Sequence, residues 1–131
     1  MTSTLKLRTF RYGDTPRRGE GLRIGTTRRP PRGATKKEWG EYFDVWFPVL
    51  APSEALLRRT RQRAKFDYKQ FCASYEKELL GKAETRQAVE LLAALAIRTP
   101  ISVGCFCEDE SVCHRSHLRK LIERAARKLK S

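Results

Sequence analysis

The chain has 131 residues, 40% of them apolar and 9% aromatic, and a formal net charge of +13 from 28 Lys and Arg against 15 Asp and Glu. That length and apolar content specify one domain whose core needs neither disulfide nor metal, and they exclude a disordered chain. No apolar run is long enough to span a bilayer, and MTSTLKLRTF lacks the apolar stretch of a signal peptide, so a cytoplasmic protein without a membrane partner is expected. In that compartment thiols stay reduced, and clustered cysteines point to metal, catalysis or core packing before structural disulfides. The positive charge favours an anionic partner, either nucleic acid or an anionic small molecule.

The first element is LKLRTF, residues 5 to 10, where Leu5, Leu7 and Thr9 alternate with Lys6, Arg8 and Phe10. A period of two predicts a strand. YGDTPRRGEG is rich in turn formers and reads as a loop. GLRIGTT, with Leu22 and Ile24 on alternate positions, predicts a second strand. Arg28, Arg29 and Arg32 follow around Pro30 and Pro31, which forbid regular hydrogen bonding and place the arginines on a stiff exposed loop. Trp39, Tyr42, Phe43, Trp46 and Phe47 stand at helical spacing and predict a short core helix stopped by Pro48, with a base-stacking platform as the alternative.

Ser53 is placed to cap a helix over EALLRRTRQRAK that has a basic outer face, and Asp67 to cap the next. Tyr68, Phe71, Cys72, Tyr75 and Leu79 form the stripe of that second helix, which Gly81 ends. Thr85 is the expected cap of a third helix, with Ala88, Leu91, Leu92, Leu95 and Ala96 inward and Pro100 closing it. ISVGCFC predicts a buried strand, and a last helix is expected from near Ser111 to about Leu129. Its inward stripe is Leu118, Leu121, Ile122, Ala125 and Leu129, and its outer face is basic. The order of elements predicts an α/β domain, a small mostly parallel sheet sandwiched by helices.

CFCEDESVCHRSH, residues 105 to 117, holds three of the four cysteines and both histidines. In a regular strand Cys105 and Cys107 share a face about 6.5–7 Å apart, too far for the Cβ separation of roughly 3.5–4.5 Å that a disulfide requires. Cys107 and Cys113 flank a five-residue loop and can meet. Cys113 is expected in the first turn of the last helix, where free N–H groups, the helix dipole and Arg115 favour a thiolate, with His114 adjacent as acid or base. An inert buried cysteine is the competing reading. His114 and His117 extend the inward stripe, which permits zinc held by some four of Cys105, Cys107, Cys113, His114 and His117. The spacing, however, departs from the usual paired ligands. Cys113 and Arg119 also match the cysteine, five residues, arginine pattern of thiol phosphatases, but without the glycines of a phosphate cradle.

CEDESVCHR resembles the C-terminal motif of the family called domain of unknown function 488: a cysteine and an acidic residue after a strand, then Cys-His-Arg opening a helix. TTRRPPRG, LAPS (residues 50 to 53) and FCASYEKEL (71 to 79) resemble segments of its YeaO-like branch in the same order. The resemblance implies a small cytoplasmic α/β domain and names no activity. It carries over Cys107, Glu108, Cys113, His114 and Arg115, and Arg28 or Arg29 with Arg32 as basic loop residues. The resulting expectation is a pocket for an anionic ligand, a nucleotide or phosphate-bearing molecule. Cys113 would be its nucleophile, His114 its acid/base and Arg115 its anion stabiliser. Arg28, Arg29, Arg32, Cys107 and Glu108 would bind, and no cofactor is required. The alternative is a nucleic-acid-binding module using the basic faces of the helices at 54 to 65 and 115 to 130.

Overall fold

A computed structural model describes residues 5–62, 64–107 and 113–130. Four parallel strands form one sheet: β1 (Leu7–Arg11), β2 (Leu22–Gly25), β3 (Val45–Trp46) and β4 (Ile101–Cys105), in the spatial order β1-β4-β2-β3. Among the described residues the α-helices are α1 (Glu54–Gln62), α2 (Tyr68–Gly81), α3 (Ala83–Arg98) and α4 (His114–Lys130). The domain is therefore the expected compact α/β structure.

The pleat sorts side chains by parity. Leu7, Ile24, Ile101 and Val103 share one face and are buried with Leu56, Tyr75, Leu92, Ala96, Leu118 and Ile122 of the helices. The opposite face carries Phe10, which packs with Tyr12 and Phe43 and with the partly buried Trp39, Tyr42 and Trp46. Gly104 lies opposite Phe10 in the ladder, and a Cβ there would fall inside contact distance of the Phe10 ring. The missing side chain is what lets the aromatic cluster sit flat on the sheet.

Parallel strands of one sheet are joined by a crossover, usually a helix. Here residues 12–21 carry the chain without one from β1 to β2, which lie on either side of β4. Glu20, 2% exposed, pairs with the buried Arg23 of β2 at 2.6 Å and with Arg17 at 3.3 Å. Arg23 also lies over the Phe10 ring, 4.2 Å from its centroid, and donates to the Asp14 carbonyl. Charges are tolerated inside because each meets an opposite charge or a carbonyl.

Helix termini follow the expected chemistry at two places. Ser53 Oγ accepts from the Leu56 N–H, and Asp67 Oδ1 from the Gln70 N–H. Thr85 departs from expectation. α3 starts earlier, at Ala83, and the Thr85 hydroxyl turns back to the Leu79 and Lys82 carbonyls, closing the end of α2. On α3, Leu91 is 58% exposed, and on α4 Leu129 is 52% exposed with Ala126 buried in its stead. Both leucines sit at the margin of an inward stripe, where the helix surface curves away from the core.

The aromatic segment is not one helix. Lys36–Glu41 is a 3-10 turn, Val45–Trp46 adds to β2 as the edge strand, and Pro48–Leu50 is a second 3-10 turn. Backbone pairing with β2 wins over the helical spacing of the aromatics. The Phe47 N–H donates to the Gly25 carbonyl, and the Trp46 indole N–H to the Thr27 carbonyl. Among the described residues, no helix is long and apolar enough to cross a membrane.

Candidate thiol and anion site

β4 ends at Cys105, two residues earlier than the sequence pattern suggests. In the turn that follows, Cys107 leaves the sheet, and its thiol interacts with those of Cys105 and Cys113. The strand geometry expected to govern both thiols stops at Cys105, because Phe106 and Cys107 have left the ladder. Cys113 stands immediately before α4, and its carbonyl accepts from the Ser116 N–H at 3.3 Å. The helix start expected near Ser111, and the acidic Glu108, lie outside the described residues.

Cys113 and His114 are buried, 1% and 8% exposed, whereas Cys107 is exposed. His114 Nε2 lies 3.0 Å from the Thr26 carbonyl oxygen. A carbonyl only accepts, so Nε2 carries the proton, and Nδ1 keeps its lone pair. Nδ1 faces Cys113 Sγ at 3.7 Å. Burial holds the His114 pKa down to about 4, so the ring is neutral at pH 7.

Two residues of α2 brace this corner. The Tyr68 hydroxyl donates to the Cys113 carbonyl at 2.9 Å, and the Tyr75 ring meets the His114 imidazole edge to face. Thr26, at the end of β2, donates its hydroxyl to the Gly104 carbonyl and so ties β2, β4 and α4 together. Tyr68 and Tyr75 read in the sequence only as stripe residues, and Thr26 only as the end of a strand. Nothing in their spacing marks a role at the cluster.

Charge among the three thiols is divided unequally. Hydrogen bonds from Cys105 and then Cys113 hold the Cys107 pKa well below the free-thiol range, with His114 and Arg115 adding to the effect. Cys105 and Cys113 are pushed up as the donors of those bonds, and burial pushes both further. The balance of these effects favours a thiolate on Cys107, the exposed member, over Cys113 at the start of α4.

Arg115 is 3% exposed and binds both sides of the strand end. Its guanidinium donates to the Cys107 carbonyl at 2.7 Å and to Cys105 Sγ at 3.1 Å. It also lines an open cavity of about 470 Å³ with Arg11, Arg17, Thr15, Asp14 and Glu20. Arg11 and Arg17 were missed in the sequence reading. Arg11 ends β1 and Arg17 lies in the loop after it, at the carboxyl end of the strand where ligands bind in open α/β sheets, and that rule applied to the first strand would have found them.

The basic loop is only partly gathered here. Arg29 and Arg32, with Pro30 and Pro31, line a second cavity of about 620 Å³ against Phe106, the neighbour of Cys107. Arg29 also pairs with Glu54 at 3.1 Å. Arg28 is directed elsewhere and donates to the Ala51 and Pro52 carbonyls. His117, expected to face the cysteines, instead meets Glu76 at 2.8 Å, because one helical turn carries it from the strand end to α2.

The fold and the cluster define a small parallel α/β domain with a Cys-His-Arg centre where its central strand meets its last helix. The chain belongs to the DUF488 family: the family model described as the active DUF488-N3 subclade, DUF488-N3a, matches residues 7–126. No curated protein and no solved structure matches the chain.

Proposed function

We propose that the protein binds an anionic, phosphate-bearing small molecule at the carboxyl end of its sheet, with the thiol cluster beside the ligand as the reactive group. Arg115 carries this reading. One guanidinium touches both Cys105 and the Cys107 backbone and lines the cavity with Arg11 and Arg17. Three guanidiniums against two carboxylates leave the lining net positive, and guanidinium is the side chain best matched to phosphate. The reactive role passes from Cys113 to Cys107, because a nucleophile must be both ionised and reachable. Cys113 then donates its one S–H to that thiolate, the His114 ring packs against Cys113 Sγ, and Arg115 stabilises the anion. Arg29 and Arg32 serve the outer rim. Four free cysteines fit a reducing compartment, and on that ground we assign the protein to the cytoplasm and, on its LAPS and FCASYEKEL segments, to the YeaO-like branch.

The test is calorimetric titration with inorganic phosphate and a nucleoside monophosphate, comparing the wild type with Arg17→Ala. The Arg17 side chain is 62% exposed, and the buried Glu20 keeps its pair with Arg23, so the substitution leaves the core packed. Affinity should fall about tenfold, the loss of one charge-assisted contact. Equal affinity in the variant refutes the site. Alkylation of Cys107 should proceed at a nearly constant rate from about pH 6 to pH 9, where a free thiol of pKa about 8.5 accelerates steeply.

The net charge of +13 favours a second reading, nucleic-acid binding by the basic faces of α1 and α4. That reading requires affinity for RNA or DNA that falls steeply with salt and survives Arg17→Ala.

A further inference from the structure

We propose that Cys105, Cys107, Cys113 and His114 hold a thiophilic divalent cation, zinc by its ligand chemistry, and that the occupied site masks the Cys107 thiol. The ligating atoms of Cys105, Cys113 and His114 all lie within 4.8 Å of one another. Cys113 Sγ and His114 Nδ1 are 3.7 Å apart. Zinc–sulfur and zinc–nitrogen bonds of about 2.3 Å and 2.0–2.1 Å at a tetrahedral angle put that edge at about 3.6 Å. Two corners of the tetrahedron are thus already at their bonded spacing. Cys107 falls outside that group; its exposed side chain, on the turn after Cys105, rotates in to supply the fourth corner.

The imidazole is oriented as a ligand. Donation from Nε2 to the Thr26 carbonyl leaves the Nδ1 lone pair directed at the cluster, the outer bond that metal-binding histidines ordinarily make. The Tyr75 ring and the Thr26 hydroxyl hold it there. Charge also closes. Three thiolates, one neutral imidazole and a divalent cation sum to one negative charge, and the Arg115 guanidinium lies 3.1 Å from Cys105 Sγ to offset it. Sulfur and imidazole donors select zinc over magnesium or calcium. The sequence spacing argued against a metal because it lacks the usual ligand pairs. The turn after Cys105 and the start of α4 assemble the set instead.

Such an ion fastens the end of β4 to the start of α4 and occupies the thiolate that the proposed chemistry needs. The inference rests on the same thiol cluster as that reading but not on its anionic ligand. Zinc occupancy then controls whether Cys107 reacts.

The experiment uses the full chain, reduced and stripped with chelator, then titrated anaerobically with cobalt(II) and afterwards with zinc. One-to-one growth of a thiolate-to-cobalt charge-transfer band with the visible bands of tetrahedral cobalt, erased by zinc, is expected. Cys107→Ser, at an exposed position, should keep the circular dichroism of the wild type. It should lose about a third of the charge-transfer intensity and bind at least tenfold more weakly. Zinc should slow alkylation of wild-type Cys107 at least tenfold. Absence of the charge-transfer band, or an unchanged band in Cys107→Ser, overturns the site. An unchanged alkylation rate in the zinc-loaded protein overturns the masking. Phosphate titration of the same stripped sample separates the two ideas: cobalt binding without phosphate binding sinks only the anion pocket, and the converse sinks only the metal.

Discussion

Acidification should destabilise this protein through one imidazole. The folded chain holds His114 at a pKa of about 4, against 6.5 for the ordinary group, chiefly because burial penalises the charged ring. The Thr26 carbonyl and the Cys107 charge oppose that effect, and Arg115 reinforces it. Between those two values the unfolded chain binds a proton that the folded chain refuses. Stability therefore falls as pH drops through 6.5, and the loss is complete below about 4. The gap is worth about 3 kcal/mol, a large fraction of the roughly 5–15 kcal/mol that holds a domain together. Urea unfolding followed by circular dichroism between about pH 7 and pH 4.5 measures it, with chelator present to keep the cluster metal-free. Carboxylates titrate in the same range, so the comparison is with His114→Gln, which lacks the imidazole. The wild type should lose about 2.5 kcal/mol more than the variant over that interval. Equal pH dependence in the two proteins refutes the argument that burial keeps His114 neutral.

Three further outcomes follow from the packing, each read by thermal or urea denaturation. Glu20→Gln should cost about 3–5 kcal/mol because it strands the Arg23 charge in the core, while Glu20→Leu combined with Arg23→Met recovers much of that loss. Gly104→Ala should cost about 1–3 kcal/mol by driving a Cβ into the Phe10 ring, and Phe10→Leu should relieve it. Ser53→Ala should cost about 1 kcal/mol, since the Leu56 N–H loses its acceptor at the start of α1.

Much of the scaffold was legible because its signals are local. Alternation at Leu5, Leu7 and Thr9, the caps Ser53 and Asp67, and the stripes of α2 and α4 are properties of a few consecutive residues. The aromatic segment misled for a physical reason. Spacing of three and four is shared by a helix and by a chain that turns twice, and pairing with β2 decided the outcome. The Glu20–Arg23 pair was invisible, since a turn-rich loop of charged residues ordinarily marks solvent and not a buried crossover. At the site, the sequence located the cluster but not the share of charge among its thiols. Which of three thiols ionises depends on who donates to whom, and that follows from the turn after Cys105, which strand periodicity cannot express. The pairing of His117 with Glu76 likewise depends on how α2 packs against α4.

The central strand of the sheet is the last to be made. β4 lies between β1 and β2, yet it begins at Ile101, and β1 and β2 share no ladder of their own. While the chain is being synthesised, some ninety residues emerge after β1 before β4, its hydrogen-bonding neighbour, exists. The N-terminal strands must wait as exposed edges, the state most open to pairing with other chains. Helices α2 and α3 can form meanwhile, because their contacts are local, so the sheet should assemble late and around them. A stop or a protease cut anywhere before Ile101 therefore removes more than the end of the chain: it leaves β1 and β2 with nothing between them.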